Sequence, residues 1–139
     1  MNRHQARTLA FSLLFEREFD RTRDIAELYD TAKAARGEEE SKYVRKTLIG
    51  VVEHEAEIEA MVSESAEGWS LGRISKVSLA ILKLAIYEMK YCHDIPLRVA
   101  LNEAIELVKE FDEERARAFV NGILNALAVQ FKAERPDEA

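Results

Sequence analysis

The sequence predicts an all-α fold, a single compact helical domain made of two packed small helical bundles, and three observations carry that prediction. The chain of 139 residues holds only five glycines and two prolines, too little turn chemistry for a fold of many short strands. Its apolar residues recur at the three-and-four spacing of buried helix faces rather than alternating. Hydrophobic residues make up 47% of the chain, enough at this length to close one core.

The first helix is expected from about Arg3 to Phe19, with Ala6, Leu9, Ala10, Leu13 and Leu14 on one buried stripe. Arg3 and Arg7 follow the border of that stripe, Phe11 drifts beyond it, and Phe15 lies roughly opposite its centre. An aromatic on the back of an amphipathic helix needs a second partner. Asp24 is placed to cap a second helix, Ile25 to Ala35, which Gly37 stops. A third, roughly Glu39 to Ala66, mixes Tyr43, Leu48, Val51, Ile58 and Met61 with many charges and ends before Gly68.

From Trp69 the composition changes, and Leu71 to Met89 leaves almost no polar face, the mark of a central helix. Lys83 and Lys90 share one seam, read as its outlet to water, while Glu88 projects to the apolar side. A carboxylate there needs a helix N-terminus or a basic side chain as partner. Asp94, Ile95 and Pro96 break the helix, and Asn102 is read as the N-cap of Glu103 to Phe111. The last helix, about Glu113 to Phe131, buries Val120, Ile123, Leu124, Leu127 and Phe131, with Phe119 at the margin. Gly122 interrupts it, which predicts close approach of another backbone or a ligand. No linker divides the chain, so residues 1–135 form one unit with helical halves at 1–67 and 69–133, followed by a flexible tail at 134–139.

Charge and reactive residues exclude several functions. A single cysteine, Cys92, permits no internal disulfide and no multi-thiolate metal site. His4, His54 and His93 are scattered, and His54-Glu55 lacks the second histidine of a helical zinc site. The glycines never cluster into a phosphate-binding loop. Glu53, Glu55 and Glu57 fall in a polar helical stretch and read as a solvated face, not as acid catalysts. No enzyme, cofactor or metal is therefore expected. The N-terminus has no secretory apolar run, and the stretch Val77 to Ile86 is interrupted by Lys83 and too short to span a bilayer, so a cytoplasmic location is expected. The net charge is −6, yet no carboxylate precedes Glu16, while Arg3, His4 and Arg7 do. This is a locally basic end on an acidic body.

The segment Trp69-Ser70-Leu71, Arg73-Ile74, Val77 and Ala80 through Met89, then Asp94-Ile95-Pro96, Asn102 through Lys109 and Phe119-Val120-Asn121-Gly122-Ile123-Leu124, resembles the NusB family in order and spacing. Arg3, Ala6-Arg7, Ala10 and Leu14-Phe15 resemble it too, so the likeness spans nearly the whole chain, although Glu16 to Glu67 is generic. The resemblance implies a transcription antitermination factor that binds the single-stranded boxA element of ribosomal RNA transcripts. It implies a heterodimer with NusE, the small-subunit ribosomal protein, and a larger complex with NusA, NusG and RNA polymerase. A homodimer is a further association it leaves open.

By the same resemblance, Arg3, His4 and Arg7 correspond to the family's RNA-contacting basic segment, Phe119 to an aromatic lying against RNA bases, and Phe15 to the NusE-facing aromatic. Ser78-Leu79 stands where many members carry an acidic-basic pair in contact with NusE, and the dense arginine cluster of some members is thinned to two arginines flanked by Asn2, His4 and Gln5. The chemistry fits these roles. A basic end at a helix N-terminus suits phosphate, an aromatic stacks on unpaired bases, and an outward aromatic anchors a partner. Two alternatives stand beside this reading: the RNA-binding domain of a ribosomal RNA methyltransferase, and a protein-interaction bundle that binds no RNA.

Overall fold

The computed structural model of the protein describes residues 1–68 and 70–138, except for the side chain of Asp137; Trp69, placed by sequence at the head of the second half, lies outside them. Among the described residues there are seven α-helices and no strand: α1 (Arg3–Arg17), α2 (Ile25–Arg36), α3 (Lys42–Glu53), α4 (Glu55–Ser65), α5 (Lys76–Tyr91), α6 (Leu97–Phe111) and α7 (Glu114–Lys132). Short 3-10 turns lie at Leu71–Arg73 and Pro136–Glu138.

Local chemistry accounts for most boundaries. The Asn2 side chain accepts from the Gln5 amide while the Gln5 side chain accepts from the Asn2 amide, a capping box at the start of α1. Asp24 accepts from the amides of Ala26 and Glu27, and Gly37 closes α2 in the left-handed region at φ 64°. Ser41 and Ser75 cap α3 and α5 in the same way.

The apolar run of α5 is the axis of the molecule. From Ser78 to Met89 every residue is buried, and the helix packs against α1, α3, α4, α6 and α7. Both halves thus share one core, in which Leu48, Ile58, Leu82, Ile86, Leu124 and Phe131 are fully enclosed. α1 runs antiparallel to α5: Arg7 meets Glu88, whereas Glu18 meets Lys83 and Phe19 meets Lys76.

Six expectations need correction. The single third helix is two, broken at His54, whose φ of −103° and ψ of 12° leave the helical region. There the His54 ring stacks on Tyr91 with centroids 3.9 Å apart, and Gly50 lies so close to the Tyr87 ring that a Cβ would collide with it. Tertiary packing sets this break. Asn102 caps nothing: α6 begins a turn and a half earlier, behind Pro96, whose fixed φ of −56° suits a helix entrance. Gly122 faces open space, so no other backbone approaches it, and the close approach within the fold is at Gly50 instead.

Lys83 is no outlet to water. It is 0% exposed, and its Nζ lies 2.6 Å from Glu18, 2.9 Å from Glu55 and 3.1 Å from Glu59. Glu55, read as solvated, is buried in the same network, taking Arg17 at 3.1 Å and Arg21 at 2.8 Å. Finally, the segment read as a flexible tail is pinned by Arg135. Its guanidinium is buried and donates to the carbonyls of Glu88, Met89, Cys92 and Ile95, and Glu138 accepts from the Leu97 amide at the start of α6. Carbonyls at and just beyond the end of α5 thereby find a cation, and an orphan amide of α6 finds a carboxylate.

Candidate nucleic-acid interface

The basic end of α1 divides into residues with different work. Arg3 is exposed, and its guanidinium carbon lies 4.4 Å from the centre of the Tyr43 ring of α3. Cation–π stacking of this kind holds a long side chain in one direction while leaving its donors open. Arg7 is only 4% exposed. Its Nε and Nη2 donate to Glu88 at 2.8–3.1 Å, and the Tyr43 hydroxyl donates to the same carboxylate at 2.7 Å.

Burial pulls the Arg7 guanidinium down, but the hydrogen bond and charge of Glu88 outweigh it and hold the group above its ordinary value. Burial and the Glu88 charge push the Tyr43 hydroxyl up, so it remains a donor. Arg7 is therefore a structural cation, which corrects its reading as a phosphate ligand. The anticipated basic partner for Glu88 is Arg7 itself.

His4 is exposed but sits between two carboxylates of α6, 3.5 Å from Glu103 and 3.4 Å from Glu110. What joins Arg3 instead is Lys42 and Lys46 of α3, which line one groove with it, together with Tyr43 and Asp94. Sequence reasoning passed over both lysines because they lie forty residues along, in a stretch with no motif. Only the packing of α3 on α1 brings them there.

The other end of α5 holds the remaining candidates. Phe119 is half-buried and lines a cleft of about 370 Å³ with Arg73, Ser75, Ser78, Glu113 and Arg115. Ser78 is 2% exposed, accepts from Ser75 and donates to Asp112 at 2.8 Å. Its hydroxyl ties the start of α5 to the end of α6, so its reading as a direct partner contact is corrected to a buried link beneath the cleft.

Phe15 is half-buried in a row of rings. Phe11 lies 6.3 Å to one side and Phe19 5.2 Å to the other, while Phe111 of α6 packs 4.9 Å from Phe11 and covers it. Phe19 is 66% exposed, with the Lys76 ammonium 5.3 Å above its ring. The row presents an apolar ridge with a cation at its end, a surface suited to an apolar partner.

The antiparallel pairing of α1 and α5 separates these features. Arg3, Lys42 and Lys46 gather where α5 ends, near Cys92, and Phe119 with Ser78 where it begins. The fourteen-residue step from Ser78 to Cys92 corresponds to about 20 Å of helix. Phosphate-binding and base-stacking candidates thus sit at opposite ends of α5 rather than in one pocket. Among the described residues no cluster of metal-binding side chains is present, and no helix is long and apolar enough to cross a membrane.

Comparison with known proteins gives a consistent picture. A family model described as the NusB family matches residues 4–129. A transcription antitermination protein NusB of Agathobacter rectalis is 38% identical over 131 residues, 92% of this chain and 100% of that protein. One of Limosilactobacillus fermentum is 42% identical over 124 residues, covering 88% and 89%. Among solved structures, T. maritima NusB superposes with a TM-score of 0.83 at 33% identity, over 92% of this chain and 91% of the other. The antitermination factor in a crystal structure of NusB and NusE with dsRNA shares the fold, with a TM-score of 0.80 at 24% identity over 94% and 99%.

Proposed function

The chain belongs to the NusB family of transcription antitermination factors, which are not enzymes, and on that premise we propose that it binds boxA RNA of ribosomal RNA transcripts jointly with NusE. In this reading the complex acts in the cytoplasm, together with NusA, NusG and RNA polymerase, to keep transcription processive. The family match over residues 4–129 is the observation that carries it. The relatives described above are antitermination proteins over nearly their whole length, not the RNA-binding portion of a methyltransferase.

Each surface then has a task. Arg3 neutralises phosphate at the α1 N-terminus, while His4 beside it stays between Glu103 and Glu110. Phe119 offers its ring to an unpaired base over the Ser78 cleft, and Phe15 with Phe19 supplies the apolar anchor for NusE. Arg7 and Ser78 act beneath the surface by fixing α1 and α6 on α5. The chain carries a net charge of −6, which opposes sequence-independent RNA binding, so affinity rests on local contacts and on the partner.

A titration of fluorescent boxA RNA into the protein, with and without NusE, tests this. Tight, salt-dependent binding by the pair, weaker binding by the chain alone, and little binding of a scrambled sequence are expected. Equal binding of boxA and scrambled RNA by the pair would overturn it.

A further inference from the structure

The sequence offers few arginines at its N-terminus, and the fold supplies cations from elsewhere. We infer that Lys42 and Lys46 of α3, together with Arg3 of α1, form a phosphate-binding groove for the backbone of single-stranded RNA, built across two helices rather than within one basic segment. This rests on the reading of the protein as an RNA-binding factor and assigns it residues that the N-terminal segment does not contain.

Three observations carry the inference. Lys42 and Lys46 are one helical turn apart on α3, and both line the groove of about 150 Å³ into which Arg3 faces. All three are exposed, and none of them is ion-paired among the described residues, although most other basic side chains of the molecule are. Cations left in water without carboxylate partners keep their full field for an incoming anion. Tyr43 forms the wall between them, and its position is not adjustable: its hydroxyl is bonded to Glu88 while its ring face carries Arg3. The groove is thus held by the same buried carboxylate that anchors Arg7.

The acidic neighbours set its limits. Asp94 lines the groove itself. Glu38, Glu39 and Glu40 lie beyond it around Met1 and Ser41, with Glu38 paired to Arg36 and Glu40 to Lys33 and Arg45. Three cations face one carboxylate inside the groove, enough for two or three successive phosphates and too few for strong binding alone.

The test compares the wild type, the double substitution Lys42→Ala with Lys46→Ala, and a charge-matched control, Lys109→Ala with Lys132→Ala, each as the full chain with NusE. Binding of boxA RNA is measured across a series of salt concentrations. At low salt the Lys42/Lys46 variant should bind on the order of tenfold more weakly, with its salt slope shallower by about 1.4, the value for two single-strand phosphate contacts. The control should match the wild type.

Wild-type affinity and slope in the Lys42/Lys46 variant would overturn the groove while leaving the RNA-binding function intact. An equal loss in the control would also overturn it, since net charge alone would then account for the effect. Failure of the wild type to bind boxA RNA at all would instead remove the functional reading on which the groove rests. Unchanged thermal unfolding of both variants confirms that the readout is binding.

Discussion

The guanidinium of Arg7 clasps both carboxylate oxygens of Glu88 across the α1–α5 interface, eighty-one residues away in sequence, with less than a twentieth of either residue exposed. Removing one partner would strand a buried charge. Arg7→Ala is expected to lower unfolding free energy by about 3–5 kcal/mol, whereas Arg3→Ala, at an exposed site, should cost under about 1 kcal/mol and weaken RNA binding. Urea denaturation of the two variants separates the roles. Equal, small destabilisation by both would contradict the assignment of Arg7 to the core.

The network around Lys83 predicts a pH dependence. Burial works against the Glu55 charge, but hydrogen bonds from Arg21, Lys83 and Arg17 hold its carboxyl down at about 2, from an ordinary value of 4.5. A depressed carboxylate contributes stability that is present above 4.5 and is lost as pH falls toward 2. Lys83 is shifted the other way: burial lowers it, yet Glu18 and Glu55 hold it above its ordinary 10.5. Its contribution is complete below 10.5 and is lost as pH rises beyond. Glu55→Gln should therefore flatten the acid limb of the stability curve between pH 4.5 and 2. An acid limb as steep as that of the wild type would show that other carboxylates carry it.

Two glycines in helices should respond with opposite signs. At Gly50 a methyl group would strike the Tyr87 ring, so Gly50→Ala is expected to cost about 1–3 kcal/mol through overpacking. At Gly122 nothing lies within 4 Å, so Gly122→Ala should stabilise α7 by roughly 0.5–1 kcal/mol. Calorimetric melting of the two variants gives the signs directly. Should Gly122→Ala stabilise the fold while reducing RNA affinity, the RNA passes over that face of α7.

Arg135 provides a test of the C-terminal segment. Its side chain serves four backbone carbonyls, and Arg135→Ala would leave the end of α5 without its buried cation. A loss of about 2–3 kcal/mol is expected, with faster amide exchange at Cys92 to Leu97. Unaltered exchange there would mean that the segment is dispensable.

Under the proposed function the Phe15 ridge and the RNA-binding residues are coupled by linkage. Phe15→Ala should weaken NusE binding by about 2 kcal/mol or more, the scale of an aromatic anchor at an interface centre, and should erase the gain in RNA affinity that NusE confers. RNA must in turn strengthen NusE binding by the same factor in the wild type. Isothermal titration of NusE into each protein, with and without boxA RNA, measures both quantities. Undiminished NusE affinity in the variant would move the interface elsewhere.

Helix identity was legible where local chemistry decided it. The Asp24 cap, the Gly37 stop and the unbroken apolar face of α5 are all properties of short windows of sequence. What escaped was set by contacts between distant segments. His54 breaks a helix because of Tyr91 and Tyr87, Lys83 hides because α1 and α4 bring three carboxylates to it, and Arg135 finds its carbonyls forty residues upstream. The site divided in the same way. The exposed Arg3 and the ring row at Phe15 follow from the periodicity of α1, but a heptad wheel cannot tell that Arg7 faces a carboxylate from α5. Nor can it place Lys42 and Lys46 beside Arg3.

The cluster at Lys83 also bears on temperature. It combines three carboxylates, Glu18, Glu55 and Glu59, with three cations, Arg17, Arg21 and Lys83, drawn from α1, the turn after it, α4 and α5. Being electroneutral, it adds no net repulsion to an acidic body. The hydration that such ions forgo becomes less favourable on heating, while hydrophobic gain per unit area levels off. The joint between α1, α4 and α5 should therefore loosen later on warming than the apolar α6–α7 contact, so that the half of the molecule bearing Phe119 frays first.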